Sequence, residues 1–420
     1  MAKQGEDTKT MVDCLIAGGG YVGLSTAVAI KDAAPHLNVM LVDAAPKNAI
    51  STDERASAIA SAASRMLACL EIWQHLRDDA QPIRDMIVTD SRTSDPVRPV
   101  FLTFGSRTES AENQPFAHMV PNKSLVTALR EQADKLGIEM LHGVLVHNFT
   151  THDHHTTVEL SDGTQIRTRL LIAADGVRSS LRKLAGIKTI HWDYDQMGIV
   201  TTVAHEKDHE GRAEEHFLPG GPFATLPLPP NRKGQHRSSL VWTEPTENAQ
   251  RLIKADPFEF ELELERRFGH KLGEIELAGS VKAFPLGLTL AREFVKPRLA
   301  LVGDAAHGIH PIAGQGLNLG FKDAAALAQV VVETDRLGLD IGSITALERY
   351  QQWRRFDTVQ MGVVTDVLNR LFSNDSTVLR LARTFGLSAV DRMPSLKNRF
   401  IAQAAGQSPS NPALLNGQPI

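Results

Sequence analysis

Cysteine is nearly absent. Cys14 and Cys69 are the only two in the chain, too few for a disulfide framework, and the pair fits a reducing cytosol. Cys14 lies in an apolar stretch, where a buried, inert thiol is expected. Missing too is any apolar run approaching the ~20 residues that a spanning helix needs. The opening Met1–Thr10 is polar, without the apolar centre of a signal peptide. A cytoplasmic protein is expected, with any membrane contact peripheral, at the inner membrane. Nor is there an excess of positive charge. A net charge of −4 argues against nucleic acid as a partner. What remains is an ordinary globular composition, 42% hydrophobic and 22% charged over 420 residues, enough for two or three domains with real cores.

Three stretches carry the pattern of a ligand site. The first is an apolar run from Asp13 to Ala17, then Gly18-Gly-Gly20-Tyr-Val-Gly23, then a helix over 24–34. A second strand follows over 38–43 and ends in Asp43, about 20 residues past the glycines, which completes the dinucleotide fingerprint in its strand–turn–helix setting. Gly18 permits the tight turn, Gly20 lets backbone approach a pyrophosphate, and Gly23 allows close helix–strand packing. Asp43 is placed to accept a hydrogen bond from a ribose. The second stretch is the apolar run from Leu170, which ends in Asp175-Gly176 and opens a short basic helix. The third runs from Leu299 to Val302, ends in Gly303-Asp304, and leads through glycines and Pro311 into a helix over 317–332. Bare amides at that helix start favour negative charge on whatever binds there. Three strand ends offering polar groups to one crevice are what an open parallel α/β sheet provides for a long ligand.

The rest of the chain reads more plainly. Arg55 opens an Ala- and Ser-rich segment expected to be helical, and could pair with a phosphate or remain solvated. Residues 191–290 fall into strand-sized runs with Gly- and Pro-rich turns, which predicts a mostly antiparallel second domain walling a substrate pocket. Two histidine motifs invite a metal. His205-Glu-Lys-Asp-His209 has the zinc-helix spacing but no apolar helical face, and His152-Asp-His-His155 sits in a polar turn, so no metal site is expected. Helices are predicted over 344–372 and 378–387, and a mobile tail closes the chain. Leu371, Phe372, Leu379, Leu381, Phe385 and Leu387 could form an apolar surface. Core packing or contact with a second copy is its first reading, attachment to a membrane or a biosynthetic assembly its second.

With these residues in place, the chain resembles the flavoprotein hydroxylases of para-hydroxybenzoate hydroxylase type. More narrowly, residues 310–323 (HPIAGQGLNLGFKD) match the signature of the UbiH-type ubiquinone-biosynthesis monooxygenases at every position. The resemblance implies an α/β fold: a Rossmann-type FAD-binding domain, a mostly antiparallel β-sheet substrate domain and a helical C-terminal region. The expected bounds are 1–75, 118–188 and 290–340 for the FAD domain and 76–117 and 189–289 for the substrate domain. Residues 341–405 would be helical, with a flexible tail over 406–420. FAD is implied as cofactor, with NADH or NADPH as transient reductant. Gly18, Gly20 and Gly23 would hold its pyrophosphate and Asp43 its ribose. Arg55 would contact the flavin, Asp304 the ribityl chain, and Gly316, Leu317 and Asn318 the pyrimidine edge. Asp175 and Gly176 belong to a motif tied to both FAD and NAD(P)H. Pro311 would sit beside the ring where dioxygen reacts; His307 and His310 are candidates for polar contacts near it, with a hydrogen-bonded structural role the first reading for each, and no acid or base is singled out. The implied reaction is hydroxylation of a polyprenylated phenol through a flavin hydroperoxide. Two alternatives stay open: hydroxylation of small soluble aromatic acids, which needs a basic pocket, and a catalytically idle FAD-binding scaffold subunit.

Overall fold

The computed structural model describes residues 10–47, 49, 53–92, 95, 98–105, 115–310, 314–373, 402 and 405–420. Its first sheet is built on the strand Thr10–Ala17, whose Cys14, Leu15 and Ile16 are fully buried. That strand lies parallel to Val39–Asp43 on one side and to Gln165–Ala173 on the other, and Gln165–Ala173 lies parallel to Leu299–Leu301. Register explains why distant segments meet. Ala17 pairs with Ala173 and with Val42, and Ala173 pairs with Leu301, so four strands finish in one row. The loops that follow them therefore emerge side by side. The helices Tyr21–Ala33 and Gln315–Arg336 pack on this sheet, the second burying a run of alanines and valines from Ala324 to Val332.

A second sheet is mostly antiparallel. Its order runs His307–Gly308, Lys282–Ala291, Thr189–His205, His236–Pro245, Gly221–Leu228, Arg212–Leu218, Asp85–Asp90, Val100–Gly105. Within this sheet only the contact between Arg212–Leu218 and Asp85–Asp90 is parallel among the described pairings. Two helices that periodicity did not single out, Thr246–Lys254 and Pro257–Phe268, cover its outer face around the buried Trp242. His307–Gly308 belongs to this sheet although it follows Leu299–Leu301 of the first, so the run 299–318 crosses between the two layers.

Three sequence expectations differ from the structure. The segment after Arg55 is a strand, Ala56–Ala60, and the helix begins only at Ser61. Pairing with Ala117–Pro121 outweighs the intrinsic helix preference of alanine, which is a weak prior against a ladder with burial behind it. The closing residues also differ. Leu414 and Leu415 are buried in the main core, Arg65 Nε donates to the Leu415 carbonyl at 3.1 Å, and Trp353 Nε1 to the Ser410 carbonyl at 2.7 Å. Apolar anchors inside a polar stretch hold this tail down. Phe372, read as part of an apolar surface, is 2% exposed and stacks on Phe217 with ring centroids 4.0 Å apart. The helix Ile344–Phe372 forms as expected; the segment 378–387 lies outside the described residues, and among those no helix is long and apolar enough to cross a membrane.

Candidate active site

Between the strand ends of the first sheet and the inner face of the second lies a cavity of about 1460 Å³. That exceeds the roughly 300–1,000 Å³ of a site for one drug-sized ligand. Gly20, Gly23, Asp43, Arg55, Gly176, Asp304, Gly316, Leu317 and Asn318 all line it, so nine residues read from four separate segments meet at one place. Gly18 and Asp175 stand just behind the wall.

The glycines divide by what surrounds them. A Cβ on Gly18, whose φ is +120°, would sit 2.2 Å from the Ala174 carbonyl oxygen, and one on Gly23 would sit 2.0 Å from the Gly18 carbonyl oxygen. Both contacts are with backbone and cannot yield, so these two glycines let the first turn, the helix and the neighbouring strand end close on one another. Gly20 differs, because a Cβ there meets nothing within 4 Å. It opens onto the cavity at the start of the helix Tyr21–Ala33, which no side chain caps. Asp43 ends the adjacent strand in the cavity wall, its carboxylate 3.5 Å from the Arg130 guanidinium.

The Gly303-Asp304 corner is held from below. Asp323 is fully buried, and its carboxylate accepts from Gly303 N at 3.0 Å, His307 Nε2 at 2.5 Å and Arg354 Nε at 2.8 Å. Burial alone would raise this carboxyl, but the charges and hydrogen bonds of His307 and Arg354 outweigh it and hold the group below its ordinary range. Asp304 itself opens into the cavity. Enclosure by protein raises its carboxyl, His307 works against that, and Asp323 adds to it.

Past this corner, Gly314 adopts the left-handed conformation (φ 63°, ψ 28°) and starts the helix Gln315–Arg336, again with no side-chain cap. Gly316, Leu317 and Asn318 form its first turn on the cavity wall. The Asn318 side chain is a clamp. Its Oδ1 accepts from Ala60 N at 2.9 Å, and its Nδ2 donates to the carbonyls of Ala58 and Gly314 at 2.9 and 3.0 Å. Asn318→Ala leaves the buried Ala60 amide without its partner. An expected loss of roughly 1–3 kcal/mol follows, measurable as a lowered urea midpoint at unchanged slope.

Arg55 is not simply solvated. Its Nε and Nη2 donate to the two oxygens of Asp53 at 2.9 Å each, and its guanidinium carbon lies 5.4 Å from the centre of the Phe284 ring. Burial would raise the Asp53 carboxyl, but these bonds bring it down to about 2. Asp175 is not among the residues that line the cavity. Its Oδ2 accepts from Leu181 N and Ser180 Oγ at 3.1 and 3.2 Å, which ties down the start of the short helix Ser180–Leu184. His310 is fully buried in the cavity wall with neither ring nitrogen hydrogen-bonded among the described residues, and burial holds its imidazole down to about 4. Its ring meets Tyr194 edge-on at 5.3 Å. Neither nitrogen makes the structural bond expected of a core histidine. Pro311 lies outside the described residues.

Sequence reading passed over Arg130, Asn122 and Glu215, which also line the cavity. Arg130 and Asn122 stand on a helix (Asn122–Lys135) and Glu215 mid-strand, and no local spacing marks any of them. The metal motifs are otherwise engaged. His205 donates from Nδ1 to the Lys207 carbonyl and bonds Ser238 Oγ through Nε2, while His209 donates from Nε2 to the Leu228 carbonyl and accepts from Gly211 N. His152 and His155 stack on each other in a tight turn. No group of three metal-ligating side chains occurs among the described residues.

Comparison with known proteins gives a consistent result. A family model described as FAD binding domain matches residues 11–354. The chain is 41% identical over 418 residues to ubiquinone hydroxylase UbiL of Rhodospirillum rubrum, covering 98% of this chain and 94% of that one. It is 33% identical over 408 residues to 3-demethoxyubiquinol 3-hydroxylase of Escherichia coli, covering 95% and 100%. Among solved structures, p-nitrophenol 4-monooxygenase PnpA from Pseudomonas putida superposes with a TM-score of 0.76 at 18% identity, over 95% of this chain and 99% of that one. That last likeness is one of fold.

Proposed function

The chain belongs to the FAD-dependent monooxygenases of ubiquinone biosynthesis, and from that premise we propose that it hydroxylates the ring of a hydrophobic, prenylated phenol, using NAD(P)H and dioxygen. The residues present fit FAD. Gly20 leaves open space at an uncapped helix start, where a pyrophosphate would be received by backbone amides. Asp43 would hold the adenosine ribose, Asp304 the ribityl chain, and the Gly316–Asn318 turn the pyrimidine edge, with Arg55 beside the flavin over Phe284. The chemistry that bound FAD supplies is hydride acceptance from the nicotinamide and activation of dioxygen.

The protein's own part is positional and electrostatic. Asp323 fixes the corner that presents Asp304, and Asn318 fixes the helix start against the strand Ala56–Ala60. Amides at that start favour negative charge at the pyrimidine edge. The inner face of the second sheet then shapes the space for a ring and limits water around it.

One observation carries the choice of substrate class. Around the strand Arg212–Leu218, the cavity wall is made of Ile83, Met86, Ala213, Ala224, Leu226 and Val241, and its one ionisable group among the described residues is the acid Glu215. An apolar wall bearing an acid suits a neutral, lipophilic phenol and repels an aromatic carboxylate, which a basic pocket would have welcomed. Quinone analysis of lipid extracts from a strain lacking the gene tests the reading. Loss of ubiquinone, with a prenylated phenol accumulating that lacks one hydroxyl, is expected, and restoring the gene should reverse it. Unchanged ubiquinone in a strain with no second hydroxylase would overturn it.

A further inference from the structure

Glu215 lines this cavity, and its carboxylate engages no other side chain among the described residues. It stands mid-strand in Arg212–Leu218, opposite Ala224 on one side and Val88 on the other, and is 4% exposed. Alternation along the strand puts Ala213 and Phe217 on the same face and Glu214 and His216 on the opposite one. Thr89 and Ser91 hold that His216. Most neighbours that share Glu215's face are apolar: Met86 and Val88 from one flanking strand, Pro222 and Ala224 from the other, and Phe372 over Phe217 from the helix Ile344–Phe372. The nearest acid on that face is Asp90, one pair further along beside Phe217. Among the described residues no hydrogen-bond donor and no cation reaches the Glu215 carboxylate, although it lines the cavity.

A carboxyl kept without a partner in an apolar wall is unfavourable for the fold alone. Its place makes sense when a bound molecule brings the partner. We infer that Glu215 is the catalytic base that takes the proton of the substrate's phenolic hydroxyl. The inference rests on the phenol-hydroxylase reading above. In the step, the phenol O–H bond breaks and the proton passes to a Glu215 carboxylate oxygen. The electron pair stays on the phenolate oxygen and is delocalised to the ortho and para ring carbons. Those carbons become more nucleophilic toward an electrophilic oxygen, and the proton leaves later through the open cavity. No oxidant enters this step.

Burial pushes the Glu215 carboxyl up to about 7. A phenol titrates near 10 and an ordinary glutamate near 4.3. Raising the acceptor shortens the uphill transfer from roughly six units to about three. Other titratable groups on the cavity wall, His191 and His310 among them, come from other elements, and His310 is held down to about 4, so it does not titrate in the same range.

The test uses FAD-loaded enzyme with a short-chain prenylated phenol, comparing wild type and Glu215→Gln. Wild-type kcat/KM should fall as pH drops through about 7, because the base must be ionised. In Glu215→Gln that limb should vanish, with hydroxylation reduced by about 10²-fold or more, while FAD content and far-ultraviolet dichroism stay unchanged. A second readout needs no turnover. The absorbance of bound 4-nitrophenol should show more phenolate in wild type than in Glu215→Gln near neutral pH. Matching pH profiles and matching phenolate fractions in the two proteins would overturn the assignment. If Glu215→Gln does not fold, a wild-type profile that is flat between about pH 6 and 8 does the same. If wild type turns over no prenylated phenol but still ionises 4-nitrophenol through Glu215, the substrate reading fails and the base assignment stands.

Discussion

Asp323→Ala is expected to lose about 3–5 kcal/mol of folding stability, the largest effect of any single side chain in the site. Three donors converge on that carboxylate, and two of them are fully or almost fully buried side chains: His307, and Arg354 at 1% exposure. Truncation strands the buried Arg354 guanidinium, with Asp357 the one side-chain acceptor left to it among the described residues. It also frees Gly303, and with it the corner that presents Asp304 to the cavity. Urea unfolding should therefore report the loss of stability, and FAD titration a weaker cofactor affinity in whatever fraction folds. The pH dependence has a definite sign. Asp323 is held below its ordinary range in the folded protein, so its contribution is present above the unfolded carboxyl value and disappears as pH falls through the folded one. Stability of Asp323→Ala should be less sensitive to acid than wild type. An unchanged urea midpoint would show that the corner stands without this network.

The second large effect separates two glycines that look alike in sequence. Gly23→Val places a side chain 2.0 Å from a backbone oxygen that cannot move without opening the first turn. The protein should purify colourless and with a depressed melting temperature, if it is recovered at all. Gly20→Ala meets open space in the apoprotein, so its melting temperature without FAD should match wild type. The same methyl group intrudes where the pyrophosphate is expected, and FAD affinity should drop at least tenfold, about 1.4 kcal/mol. Fluorescence titration of the two apoproteins measures both quantities. Full FAD affinity in Gly20→Ala would mean that the pyrophosphate lies elsewhere.

Much of the site was legible because its signals are local. A strand that ends in glycine or in an acid, followed by a helix start, is written in consecutive residues, and Gly18, Asp43, Gly176 and Asp304 could be read that way. Arg55 was legible as a residue but not in its setting. Alanine-rich sequence argued for a helix, while its partner strand Ala117–Pro121 lies some sixty residues away, beyond the reach of any window. Asn318 could be named from its motif, yet its clamp on Ala58 and Ala60 could not, for the same reason. The closing residues misled by composition. Two leucines docked on a distant core outweigh a polar average.

Local sequence is enough to show which strands end in glycine or an acid, and that the first of them carries a dinucleotide fingerprint. Such features depend on neighbours along the chain and on the steric freedom of glycine. Which groups face one another across the cavity follows only from the fold. Parallel register brought the strand ends into one row, and the crossing at His307–Gly308 set the second sheet over them. Pairing of Glu215 with Ala224 and Val88 then left one carboxyl unpartnered in an apolar wall. A glutamate's chemistry depends on what surrounds it, and those surroundings come from three strands and a helix that meet only in the folded chain.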